Sequence, residues 1–174
     1  MKYAVIYQSR GGNTKQLAEE IFHCLSGTDK ALLDLDEHPG IPRAEMYFVG
    51  FGIRNESCSM DIIDCLENIQ ESRFALFATC GLAPSEKYKA RLERNLSVWF
   101  PENADYLGMY LCQGNAEEDW QRTMIGRMPS EEERLREMFR RGAGHPDSAD
   151  TRRAGEFAAK LQQKIEDDNS IHIW

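Results

Sequence analysis

Ser9-Arg10-Gly11-Gly12-Asn13-Thr14 sets two consecutive glycines among hydroxyl and amide side chains, between an apolar run and a helical pattern. Paired glycines let a backbone close around an anion. The helix beyond turns its free N–H groups and the positive end of its dipole to the same spot. The chemistry this suits is the binding of one phosphate. A Walker A loop is excluded because no Gly-Lys-Ser/Thr follows four spacer residues, and the dinucleotide fingerprint because G-x-G-x-x-G is absent. The same residues would equally make a strand-to-helix turn capped by Asn13 or Thr14.

Three further stretches of unusual composition follow apolar runs: Gly50 to Asn55, Thr79 to Pro84, and Gln113-Gly114-Asn115. No Ser/His/Asp or paired-carboxylate arrangement declares a hydrolase, so no catalytic side chain is assigned, and the chemistry would belong to a cofactor. His23, His38, His145 and His172 lie far apart, and the five cysteines never form C-x-x-C, so no metal is expected. An odd thiol count fits a reducing cytosol. Cys80 reads as a small half-buried thiol rather than a redox-active one. A bond between Cys58 and Cys65, on one helix face, is geometrically unreasonable.

The elements that position these stretches follow from periodicity. Tyr3–Tyr7 reads as a buried strand, followed by a helix with Leu17, Ala18, Ile21, Phe22 and Leu25 apolar and Gly27 just past its end. Ala31–Leu35 and Met46–Phe51 are the second and third strands, with a Pro/Gly loop between them. Ser59 caps a helix with Ile62, Ile63, Leu66 and Ile69 buried. Phe74–Ala78 is a fourth strand, apolar throughout as a parallel strand covered on both faces must be. A helix with Tyr88, Leu92 and Leu96 leads to the fifth strand, Tyr106–Cys112. The last helix buries Ala154, Phe157, Ala158, Leu161 and Ile165. Such alternation predicts one α/β domain over residues 1–174, doubly wound on a parallel sheet, with ligands beyond the strands' carboxyl ends. Gly114–Gly144 breaks the rhythm. It holds six arginines, and Ser130-Glu131-Glu132-Glu133 reads as a capping box opening a helix with Leu135, Met138 and Phe139 apolar. The segment reads as packing along a sheet edge or as an arm over the ligand. Ile171-His172-Ile173-Trp174 reads as a small strand, a partner contact or packing onto the body.

Composition narrows the partners. The 174 residues are 41% hydrophobic and 29% charged, and the net charge is −8. Nothing offers the Lys/Arg stripe that nucleic acid or an anionic membrane attracts, so neither is expected as a partner. No apolar run approaches a membrane span or a secretory signal, which points to the cytoplasm.

Strand, Ser-x-Gly-Gly-Asn-Thr, then helix resembles the FMN-phosphate loop of flavodoxins. Gly50-Phe51, Phe77-Ala78-Thr79-Cys80-Gly81, Ser85 and Cys112-Gln113-Gly114 resemble one branch of that family, and among such proteins the chain looks most like the flavodoxin-like accessory proteins of bacterial bilirubin reduction. The resemblance covers about residues 2–114 and the last helix. It implies a five-stranded sheet in order 2-1-3-4-5, with the helix between strands two and three reduced to the loop Asp36–Glu45. It implies FMN as cofactor, held by Ser9, Arg10, Gly11, Gly12, Asn13 and Thr14, by Phe51, Gly52 and Ile53, by Thr79, Cys80, Gly81 and Leu82, and by Gln113 and Gly114. The function implied is electron transfer from a reductase to a redox partner protein, and a weak homodimer is compatible with it. Two other readings stay open: an NAD(P)H oxidoreductase acting on a quinone-like acceptor, with Arg54, Arg122 and Arg127 as charge, and a cofactor-less binding module. Flavodoxins sandwich the flavin ring between aromatics of the second and third loops, and the branch has Gly-Phe-Trp at the second. Here the second reads Gly50-Phe51-Gly52-Ile53 and the third offers Leu82 and Pro84. Phe51 is a residue for the core, which leaves Tyr88 and Trp120 as candidate replacements.

Overall fold

The computed structural model describes residues 1–171. Five parallel strands, β1 (Tyr3–Tyr7), β2 (Lys30–Asp34), β3 (Met46–Gly52), β4 (Arg73–Cys80) and β5 (Asp105–Gln113), form one sheet in the order β2-β1-β3-β4-β5. The order is the one the resemblance implied. β1, β3 and β4 are buried almost end to end because helices cover both faces of the sheet. Successive side chains therefore feed two cores. Ile6, Val49, Phe51 and Leu76 pack with Ile62 and Leu66 of α2 (Met60–Glu67) and Leu96 of α3 (Glu86–Leu96). Val5, Phe48, Ala75 and Phe77 pack on the other face with Leu17 and Ile21 of α1 (Asn13–Cys24) and Ala154 and Ala158 of α6 (Ser148–Ile171). The β2–β3 connection carries no helix, as expected. Ser59 caps α2, its Oγ accepting the Ile62 N–H at 3.3 Å, and Ser85 caps α3 through the Tyr88 N–H at 3.2 Å.

The insertion differs from the sequence reading. It holds two helices, α4 (Glu118–Arg127) and α5 (Glu132–Gly142), around a 3-10 turn at Pro129–Glu131. Ser130 is inside that turn and caps nothing; Glu131 occupies the N-cap position of α5 and makes no side-chain cap. Proline at the first position sets φ for the tight turn, which delays the helix by one residue. α4 leaves little periodic signal in the sequence because none of its residues is fully buried and its apolar stripe is weak. Leu135 and Phe139 are buried with Ala116, as their spacing predicted, and Leu82, Trp120, Met124 and Ile125 pack around them. The arginines of α5 run along the surface in exposed pairs, Arg136 with Glu132 and Arg140 and Arg141 with Glu137. Such pairs add little stability.

α6 opens with a reciprocal cap. Asp147 Oδ1 accepts the Asp150 N–H at 2.9 Å, and Asp150 Oδ2 accepts the Asp147 N–H at 3.1 Å. The Asp150 N–H holds the Asp147 carboxyl below the usual carboxylate range. A depressed folded value makes this contribution complete above about pH 4 and lost as pH falls through the lower folded value. Asp147→Ala is expected to destabilise the protein at neutral pH and to do so less at pH 3. Equal losses at both pH values in denaturant unfolding would contradict the assignment. The terminal reading at Ile171–Trp174 falls mostly on residues 172–174, outside the described residues.

Candidate functional site

The ends of β1, β3, β4 and β5 surround a cavity of about 420 Å³, inside the range of small-molecule sites. Its lining holds Ser9, Arg10, Gly11, Asn13 and Thr14 from the first loop, and Phe51, Gly52 and Ile53 from the second. Thr79, Cys80 and Gly81 come from the third and Gly114 from the fourth. Three of the expected residues lie outside the lining. Gly12 sits behind it as the N-cap of α1. Leu82 packs into the apolar cluster of the insertion, and buried Gln113 donates from Nε2 to the Gly81 carbonyl at 3.5 Å.

The first loop is built around Gly12, at φ +82° with open space where a Cβ would stand. Neither Asn13 nor Thr14 caps α1. Asn13 Nδ2 donates instead to the Asn115 carbonyl at 2.9 Å, and the Thr14 hydroxyl meets that of Thr79 at 3.2 Å in a buried contact. Ser9 Oγ accepts the Lys15 N–H at 3.2 Å. Of the first N–H groups of the helix only that of Lys15 meets a side-chain oxygen, and the cup in front of Asn13 and Thr14 fits a phosphate. Gly114 lets the fourth loop pass between the first and third, since a Cβ there would lie 2.8 Å from Asn13 Nδ2 and 3.2 Å from Thr79 Cβ.

The second loop is a two-residue turn in which Arg54 and Ser57 exchange backbone hydrogen bonds of 3.0 and 2.9 Å. Asn55 and Glu56 sit at φ 49° and 59°, the left-handed pair a type I′ turn requires. Asparagine tolerates this; glutamate does so at a steric cost. Arg91 holds the Glu56 carboxylate at 2.5 Å. The Ile53 N–H donates to the Thr79 carbonyl at 2.8 Å, which joins the second and third loops.

Charge at the mouth is mixed. Gln8, which the sequence did not single out, donates from Nε2 to Asp36 at 2.7 Å and Asp61 at 2.9 Å, while the Ser59 hydroxyl donates to Gln8 Oε1 at 2.5 Å. Arg54 lies 3.7 Å from Glu117, itself 3.6 Å from where a Gly11 Cβ would stand. Glu117 carries no signal in the sequence, because only the fold brings the start of the insertion over the first loop. Arg122 is paired with Asp119, and neither it nor Arg127 lines the cavity. Tyr88 is absent from the lining too and stacks under the Arg91 guanidinium at 5.3 Å. Burial pushes the Cys80 thiol up to about 12, and Sγ donates to the Leu82 carbonyl, so this is a protonated, inert thiol. All five cysteines are free.

A doubly wound 2-1-3-4-5 sheet with a phosphate cup after its first strand defines the flavodoxin class of nucleotide-binding folds. Residues 4–159 match the flavodoxin domain family, and the chain belongs to that family, whose cofactor is FMN. Two relatives are flavodoxin-like domain-containing proteins BilS. The one from Clostridioides difficile (strain CD3) is 27% identical over 173 residues, covering 94% of this chain and 98% of the relative. The one from Clostridium symbiosum (strain WAL-14163) is 25% identical over 171 residues, covering 86% and 90%. Among solved structures, oxidised flavodoxin 2 from Bacillus cereus aligns with a TM-score of 0.57 at 16% identity, over 94% of this chain and 99% of that one. A flavodoxin from the Archaea aligns at 0.52 and 16% identity, over 95% and 99%. At such identity the structural likeness is one of fold.

Proposed function

We propose that the protein is an FMN-dependent electron carrier. It works as a single flavodoxin-like domain in the cytoplasm, taking electrons from a reductase and passing them to an enzyme that reduces bilirubin-type tetrapyrroles. The observation that carries the reading is the convergence of four loops on one cavity, its phosphate end made of hydroxyls and uncapped backbone N–H groups. Bound FMN supplies reversible one- and two-electron chemistry, and the chain supplies position and field. Ser9, Thr14 and the N–H groups of residues 11–14 hold the phosphate, with Arg10 beside them. Phe51, Gly52 and Ile53 form one wall and Thr79, Cys80 and Gly81 the other. Gly114 closes the floor, and Leu82 and Gln113 brace it from behind. Asp36, Asp61 and Glu117 raise the cost of added negative charge. Each contributes about 0.4 kcal/mol at ~10 Å in water, less in salt.

The tetrapyrrole partner is supported by the residue pattern of the second to fourth loops and by the near full-length match to the BilS proteins. The cytoplasm is supported by five free thiols. The test loads the protein with FMN, reduces it anaerobically with dithionite and adds cytochrome c. Rapid reduction of cytochrome c is expected, with no oxidation of NADH or NADPH by the protein alone. Steady NAD(P)H oxidation would favour the oxidoreductase instead. Thr14→Ala should weaken FMN binding by about 1–3 kcal/mol, the cost of a lost hydrogen bond to a charged acceptor. An unchanged affinity in calorimetry would move the phosphate elsewhere.

A further inference from the structure

The cavity has an odd wall. Among the described residues only two aromatics belong to its lining, Phe51 and Trp120. Phe51 is 1% exposed and committed to the core beneath the sheet. Trp120 comes from α4, outside the elements the fold needs, and is half-buried.

Its placement is over-determined. A Cβ on Gly81 would lie 2.7 Å from Trp120 Cζ3, so the third loop has no side chain where the indole presses. Phe139 meets the indole edge-on, with ring centroids 5.7 Å apart. Leu82 of the third loop joins Ala116, Leu135 and Phe139 in the cluster that carries it. The stem leading to it is tied to the first loop by Asn13 and to the second by Arg54, through Asn115 and Glu117. A helix pair merely covering a sheet edge would need none of these ties. A flat, weakly hydrated ring system in the cavity needs a flat apolar wall, which aromatic stacking provides.

Resting on the FMN reading above, we propose that Trp120 is a cofactor-binding residue of this chain, stacking on the isoalloxazine. The two-helix insertion thus forms one wall of the flavin site rather than edge packing.

The test titrates FMN into the apo form of the full chain and reads flavin emission and dissociation constant. An indole in contact quenches flavin emission by giving an electron to the excited ring, and a phenyl ring does not. Trp120→Phe keeps an aromatic against Gly81 and Phe139. It should bind within about threefold of wild type while bound-flavin emission rises at least about threefold. Trp120→Leu should raise emission and also weaken binding about tenfold, the effect of losing one stacked ring. Trp99→Leu, at an exposed tryptophan remote from the cavity, should change neither. Wild-type emission in the Phe variant overturns the stacking role and leaves the carrier reading standing. Failure of wild-type protein to bind FMN overturns both. If the Leu variant unfolds, the Phe variant decides alone.

Discussion

Gly12→Val is expected to yield folded, cooperatively melting protein that purifies without flavin. At φ +82° an L side chain costs about 1–2 kcal/mol, or ~2–8 °C in melting temperature for a chain of this size. That strain is survivable because none of the described residues stands within 4 Å of the added Cβ. The cup is less forgiving, since Gly12 joins the lining residues Gly11 and Asn13 and a strained backbone there shifts the N–H groups that face the phosphate, and the affinity loss should exceed a hundredfold. Gly27 gives the control. It has φ +86° and equally open surroundings past the far end of α1, so Gly27→Val carries the same strain and should keep its colour. A yellow, folded Gly12→Val protein would reduce the first loop to a plain turn.

The largest effect on stability is expected at Gly50. It is in β3 beside Phe77 of β4, where an added Cβ would lie 2.1 Å from two atoms of the buried phenyl ring. No rotation of a fully enclosed ring relieves such an overlap, so Gly50→Ala should cost about 1–3 kcal/mol by overpacking. That is ~2–12 °C in melting temperature. Adding Phe77→Leu removes the two closest atoms, and the double variant should be more stable than the two separate losses sum to. A Gly50→Ala protein melting with wild type would show that β3 and β4 are spaced differently at the rim of the site.

Much of this was legible in the residues. Tyr3–Tyr7 is an unbroken run of apolar, β-branched and aromatic residues, and it is β1 to the residue. Ser59 announces α2 because a hydroxyl before an apolar stripe has few other uses. The first loop carries its own signal in paired glycines. Other parts required the fold. Asn55 and Glu56 adopt left-handed conformations without a glycine to advertise them, and Arg91, far along the chain, holds the glutamate. Gln8 ends a strand and reads as a stop signal, yet it bridges Asp36 and Asp61. Pro129 shifted the start of α5 off the apparent capping box, a local competition between turn and helix that periodicity does not register. α4 hides its apolar residues among charges because it packs on a loop rather than on the sheet.

Titration of the apo protein with FMN, riboflavin and FAD in parallel, read by flavin emission, tests the phosphate cup and the cofactor together. FMN should bind one to one, at least about a hundredfold more tightly than riboflavin, because the missing phosphate forfeits its charge-assisted hydrogen bonds. FAD should bind weakly, since no pyrophosphate loop lies beyond the cup. Equal affinity for FMN and riboflavin, or preference for FAD, would contradict an FMN site built on Ser9–Thr14.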